Sequence, residues 1–402
     1  MTDALPLAGI RVLDISTYIA APAAAVVLGD YGADVIKVEQ PGEGDPNRTT
    51  ITIASYPKSP VNYPWLMDSR NKRSIALDLK HKAGRAALDP LIRRADVLIT
   101  NFPPPVRERL RLRHDDVAGL NERLIYASLT GYGEAGPDRD QAGFDSTAYF
   151  ARSGLVDQLR YDGQPPHFSL PAQGDRATAM AFVAGIMMAL YHRERTGKGT
   201  SVSTSLLANG LWSNGVYAQA ALVGTFLPLR PPRDKPRSAL TNIYRTRDDR
   251  WLLLGLPMED AMWPRLCLAI ERPELEHDAR FATTLARRAN SEALAAILDA
   301  AFAARTGAEW AARLKAGKLT FSPINRIEDV VSDEQAVAAG AVIDSANPEM
   351  PRTLAAPIRL GCAAPRPAGP APALGEHTEE ILREAGLSAA EIADLRSSGA
   401  AA

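Results

Sequence analysis

Cysteine is nearly absent: Cys267 and Cys362 are the only two among 402 residues. That is too few for a disulfide framework or a cysteine zinc cluster, and it fits a reducing compartment. A bias of charge is missing as well. Lysine and arginine total 46 against 47 acidic residues, a net charge of −1. The basic excess of a nucleic-acid binder is therefore lacking, although a small anionic ligand stays open. Long apolar runs are also missing. The most apolar helical stretch, Ala177 to Leu190, is shorter than the roughly 20 residues that span a bilayer, and Arg176 and His192 border it. Met1 to Pro6 has neither a basic start nor an apolar signal core. The expectation is a soluble, cytoplasmic protein that binds neither nucleic acid nor membrane.

Several chemical signatures are missing too. The six histidines are scattered, with no pair at ligand spacing on one face, so no metal is expected. There is no Gly-x-Ser-x-Gly elbow and no phosphate-binding P-loop. The turn after the first strand, Ser16 to Ala21, lacks the Gly-x-Gly-x-x-Gly of a dinucleotide site. Glu39, at the end of the second strand, stands where a ribose-binding acid would be, but reads equally as an exposed strand-end acid.

What is present is strand–helix alternation. Ile10–Ile15, Ala33–Glu39, Arg73–Leu79, Asp96–Thr100 and Leu124–Leu129 read as strands. Ala20–Leu28 and Ala83–Arg94 read as helices between them. This order predicts a parallel sheet covered on both faces. Gln40 to Pro64 is a long loop of the kind that is functional or mobile. Arg176–Arg195 and Ser203–Leu222 read as longer helices. After the proline-rich connector Leu227–Pro236, Thr241–Leu256 reads as a hairpin, Asp260–Ile270 and Ser291–Lys315 as helices, and Ile327–Gly340 as another. The expected domains are 1–226, a smaller α+β domain at 227–323, and a segment at 324–402 returning to the first.

One carboxylate stands out. Gly174-Asp175 directly precedes a long helix. By position alone Asp175 is a helix N-cap, or it is a nucleophile that the helix dipole keeps ionised. In the second reading Gly174 removes a side chain that would block approach.

Seven strings carry a resemblance. They are Pro6–Asp14 (PLAGIRVLD), Gly32–Glu39 (GADVIKVE), Asn71–Asp78 (NKRSIALD), Ala95–Phe102 (ADVLITNF), Ser128–Gly133 (SLTGYG), Thr196–Gly199 (TGKG) and Leu374–Thr378 (LGEHT). In this order, over nearly the whole chain, they resemble the family III CoA-transferases. The resemblance implies a Rossmann-like large domain, a smaller domain and an interlocked homodimer. It makes Asp175 the nucleophile. It implies coenzyme A contacts at Thr17, Tyr18, Ala20, Lys72, Arg73, Asn101 and Arg109, with Tyr132, Gly133 and Gly174 beside the substrate. Gln40 departs from relatives that carry an arginine there, which puts one phosphate contact in doubt.

The implied reaction moves coenzyme A from an acyl-CoA donor to a carboxylic acid through an aspartyl intermediate, with no metal and no resident cofactor. Backbone N–H groups near Gly131 would stabilise oxyanions. Succinyl-CoA is the expected donor. The superfamily's racemases place a histidine before the aspartate of a Gly-x-Asp stretch. Here the stretch is Gly143-Phe144-Asp145, and phenylalanine moves no proton, so Phe144 is expected to pack and Asp145 to be structural. A racemase-like enzyme and a lapsed CoA-binding subunit remain the alternatives. Arg48, Arg70, Arg233 and Arg237 are candidates for a second substrate carboxylate, or simply a solvated face.

Overall fold

The computed structural model describes residues 5–402, so the first four positions of the Met1–Pro6 segment lie outside the described residues. The described residues divide into two units, one of residues 5–157, 168–226 and 338–402, the other of residues 158–167 and 227–337.

The larger unit is built on six parallel strands in the order β3-β2-β1-β4-β5-β6. These are β1 (Arg11–Ile15), β2 (Asp34–Glu39), β3 (Lys72–Ala76), β4 (Val97–Thr100), β5 (Ile125–Thr130) and β6 (Thr200–Ser205). Alternate residues serve opposite faces. Val12, Val35, Val97 and Ile125 pack with Phe182, Val183 and Ile186 of a long helix, Gln173–Thr196. Leu13, Ile36, Leu98 and Tyr126 pack on the other face with Leu88, Leu91 and Ile92 of the helix Lys82–Arg94. Each such aliphatic or aromatic side chain contributes about 1.5–3 kcal/mol on burial. The first helix, α1 (Ala20–Asp30), is buried at every position. Its alanines let it lie close to the sheet, and Pro22 falls in its first turn, where no backbone donor is needed.

The sixth strand is a finding the sequence reading missed. Thr200–Ser205 (TSVSTS) is polar at every position but one, because it lies at the sheet edge with alternating exposure. The expected Ser203–Leu222 helix is accordingly two shorter ones, Leu206–Ser213 and Gly215–Leu222. Ser291–Lys315 also divides, into Ser291–Phe302 and Gly307–Ala316, with Thr306 and Glu309 forming a capping box between them. Ile327–Gly340 holds two short helices, Ile327–Val330 and Glu334–Ala338.

At the opposite edge, residues 400–402 run beside Ala76–Asp78, where β3 ends. Asp78 N–H donates to the Ala400 carbonyl at 2.9 Å, Ala402 N–H to the Ala76 carbonyl at 3.3 Å, and Leu77 bridges Ala401. Ile381, Leu382, Ile392 and Leu395 from the same segment join the core.

The smaller unit contains a three-stranded antiparallel sheet, β7 (Thr241–Arg245), β8 (Trp251–Gly255) and β9 (Phe321–Ile324). Its core is aromatic. Phe302 stacks on Tyr244 at 5.0 Å and meets Trp310 edge-on at 4.9 Å. Among the described residues no helix is long and apolar enough to cross a membrane.

Candidate active site

The strand order reverses between β1 and β4, and the loops that follow them diverge there to leave a crevice. The turn after β1 is held open by specific bonds. Asn101 accepts Thr17 N–H at 2.9 Å and donates to the Thr17 carbonyl at 2.7 Å. Asp45 accepts Tyr18 N–H at 3.0 Å, with Tyr18 in the left-handed region at φ +63°. The other Asp45 oxygen pairs with Lys37 Nζ at 2.7 Å, and Lys37 also donates to the Ser16 carbonyl. The turn's shape thus comes from side chains beneath it rather than from glycine.

Two further segments close the crevice. A Cβ on Gly131 would lie 2.7 Å from Gly143 Cα, so the two loops touch backbone to backbone. A Cβ on Gly174 would lie 2.5 Å from Tyr149 Cγ. Gly174 is therefore required by ring packing behind the helix start, which corrects the view that it clears the approach to Asp175. The long helix begins after Ala172, itself left-handed at φ +69°, and Asp175 is its third residue. Asp175 is thus not the N-cap. Together these elements line a cavity of about 140 Å³ with Thr17–Ala20, Asn101–Pro103, Gly131, Arg139, Gly143, Phe144 and Asp175. Phe144 is 53% exposed and meets the Tyr18 ring edge-on at 5.7 Å, so it forms a lip of the cavity rather than core.

The electrostatics of Asp175 reverse the expectation from the helix dipole. Its carboxyl is pushed up to about 7, first by burial and then by Asp145, and Arg176 offsets this only in part. Among the described residues no hydrogen bond stabilises its ionised form. Arg176 turns to Asp68, at 3.0 Å. Asp145 takes the capping role instead. It accepts Ser146 N–H at 2.7 Å, and the N–H groups of Ala172, Gln173 and Gly174 favour its charge, although its buried Oδ2 has no hydrogen-bond partner of good geometry. Burial outweighs them and raises Asp145 as well. Tyr56, from the long loop, has its hydroxyl raised by burial and by Asp175, Asp68 and Asp145.

The sequence profile of CoA-transferase family III matches residues 7–378. The chain belongs to that family. It is 32% identical over 397 residues to a (R)-2-hydroxy-4-methylpentanoate CoA-transferase of Clostridioides difficile, covering 98% of each chain. It is 32% identical to a succinyl-CoA:glutarate CoA-transferase of Mus musculus, covering 94% of this chain and 86% of that one. The crystal structure of a CAIB/BAIF family protein from Brucella suis superposes with a TM-score of 0.84 at 30% identity, over 95% of this chain and all of the other.

In this CoA-transferase some expected contacts meet at the cavity and others do not. Thr17, Tyr18, Ala20 and Asn101 line it beside Asp175. Lys72 does not reach it. Its side chain is wholly buried, donating to Asp14 Oδ2 and to the Pro22 carbonyl, both at 2.9 Å. Arg73 lies on the opposite face of β3 and is bound to Asp34, Glu380 and Glu384. Both are structural charges in this arrangement. Arg109 lines a separate groove of about 580 Å³ with Lys80, Lys82, Arg85 and Arg111.

Tyr132 and Gly133 flank the cavity without lining it, and Gly133 N–H is already given to Thr130 Oγ1 at 2.9 Å. Glu39 is neither exposed nor a ribose acid. It is buried, receives Arg48 at 2.7 and 2.8 Å, and accepts the Ser74 hydroxyl at 2.7 Å. Sequence reasoning missed Arg139 and Tyr56, both in loops where no periodicity marks a side chain. Among the described residues no group of three histidine, cysteine, aspartate or glutamate side chains is placed to hold a metal ion.

Proposed function

We propose that the enzyme transfers coenzyme A between carboxylic acids through a covalent aspartyl intermediate on Asp175. The observation that carries this reading is the state of that carboxyl, which lines the cavity with no hydrogen bond among the described residues and is held near 7. A more basic carboxylate is a better nucleophile, and at neutral pH about half of it is ionised. Acylation then removes its negative charge. Burial and Asp145 both penalise that charge, so the environment that raises the carboxyl also favours the neutral acylated form.

The chemistry balances without a co-reactant. An Asp175 oxygen attacks the thioester carbonyl carbon, the C–S bond breaks, and coenzyme A leaves as thiolate. The thiolate attacks the aspartyl carbonyl of the resulting anhydride and releases the donor acid. The acceptor carboxylate attacks the aspartyl–CoA thioester and expels the thiolate. The thiolate finally attacks the acceptor carbonyl of the second anhydride and frees Asp175. The turn at Thr17–Ala20 and Asn101 would hold the pantetheine arm. The basic groove with Lys80, Arg109 and Arg111 would hold phosphates through charge-assisted bonds, in place of Lys72 and Arg73.

Succinyl-CoA is our proposed donor, in keeping with the name of the mouse relative. A homodimer is also proposed. Met188, Tyr191, Trp212, Val216 and Phe226 of the larger unit are all strongly exposed, Trp212 at 86%, and large apolar side chains left open in this way support a surface that a second copy covers.

Intact mass spectrometry with a panel of acyl-CoA thioesters tests the reading. The native enzyme should carry a hydroxylamine-sensitive adduct. Asp175→Ala should lack it and lose at least about 10³-fold in transfer rate, with coenzyme A binding retained. An adduct that persists in Asp175→Ala rules the mechanism out.

A further inference from the structure

Four arginines are candidates for a second substrate carboxylate, and the structure removes three. Arg48 is held bidentately by Glu39. Arg70 is buried against Asp30 at 2.7 and 3.2 Å. Arg233 forms two 2.9 Å bonds with Asp299. Arg237 differs. It donates only to main-chain carbonyls, those of Pro228 and, at 2.9 Å, Leu229. Such bonds fix a guanidinium without cancelling its charge.

Arg237 lines a cavity of about 340 Å³ that lies wholly within the smaller unit. Arg230 lines it too, and among the described residues no acid pairs with Arg230. The lining contains no aspartate or glutamate; Asp234 lies nearby in the chain but not on the wall. Both arginines are exposed and neither has an acid partner among the described residues, so an anion entering the cavity finds two guanidinium groups open to charge-assisted bonds. The remaining wall is largely apolar and stiff, with Pro232, Ile243 and Leu253. The volume lies at the small end of ligand sites, which run from about 300 to 1,000 Å³.

We infer that this cavity binds a small dicarboxylic acid, with Arg230 and Arg237 on one carboxylate and the apolar wall along the methylenes. Guanidinium–carboxylate pairing gives charge and geometry together. Phosphate would satisfy the arginines equally but would gain nothing from the apolar wall. This binding assignment does not rest on the transferase reading above.

The test separates the two. Calorimetry on the full-length Asp175→Ala enzyme, which cannot turn over, would compare glutarate, pentanoate and inorganic phosphate. Glutarate should bind most tightly. Arg230→Gln and Arg237→Met should each weaken it about tenfold and leave coenzyme A binding unchanged. Arg230 meets the fold through its main chain, which bridges Tyr161 and accepts Asp162 N–H at 2.7 Å, and Arg230→Gln keeps that main chain, so this variant guards against a folding artefact. Glutarate binding that both variants leave unchanged overturns the inference, as does tighter binding of phosphate or no glutarate binding at all. If glutarate binds as expected while the native enzyme forms no acyl adduct, the transferase mechanism fails and the cavity assignment stands.

Discussion

Beneath the turn after β1, Asp14, Asp45 and Glu39 each meet a lysine or arginine, whereas Asp175, at the start of the long helix, meets no such partner. The first cluster is wholly buried, with Lys37 and Lys72 both at 0% side-chain exposure. Burial alone would raise the Asp14 carboxyl, but Lys37 and Lys72 outweigh it and hold it below the ordinary range. Burial likewise opposes Glu39 ionisation, and Arg48, Ser74 and Lys37 reverse it. For Asp175 burial is joined by a second acid, and Arg176 corrects only part of the rise. Compensated charge makes a rigid support. Uncompensated charge is reactivity held in reserve.

The comparison is broken most severely by unbalancing the support. Lys72→Met leaves the buried Asp14 carboxylate with only the longer 3.7 Å ion pair to Lys37 and should lower stability by about 3–5 kcal/mol, read as an earlier urea midpoint. Adding Asp14→Leu should restore much of the loss, since two apolar groups replace a pair. If Lys72→Met unfolds like the native protein, the support is not needed.

A smaller effect is expected where the support meets the ligand. Asp45→Ala releases Tyr18 N–H and one charge partner of Lys37. Coenzyme A should bind about tenfold more weakly, with kcat at saturation nearly unchanged. A fall in kcat alone would mean that the turn positions reacting atoms rather than the ligand.

The smallest effect sharpens the other side. Transfer needs the ionised Asp175, so its rate should fall below about pH 7, tenfold per unit. Asp145 raises Asp175 by like-charge repulsion. Asp145→Asn should therefore move this acid limb to lower pH, by less than about one unit, in a pH profile of adduct formation. A limb that stays or moves upward contradicts the repulsion.

The alternating strands and the start of the long helix at Asp175 were legible in the sequence because both are local patterns. Lys72 and Arg73 were not. A charged pair on a strand looks like a ligand contact until the neighbouring strands show which face each residue takes. Arg73's partner Glu384 is 311 positions away in the chain. The helix-dipole argument for Asp175 misled for a related reason. Asp145, 30 residues earlier, lies against the first N–H groups of the helix, and only the folded backbone brings the two acids together. β6 was hidden because an edge strand with one exposed face needs few apolar residues.

The covering of the β3 edge has a consequence during synthesis. Ser74, Ala76 and, just past the strand, Asp78 give their N–H groups to His377, Thr378 and Ala400, residues made more than 300 positions later. At ribosomal speeds of about 5–20 residues per second, β3 waits on the order of 15–65 s with that side bare. Through that interval the nascent chain presents an unpaired strand, the feature that recruits chaperones and seeds wrong partners.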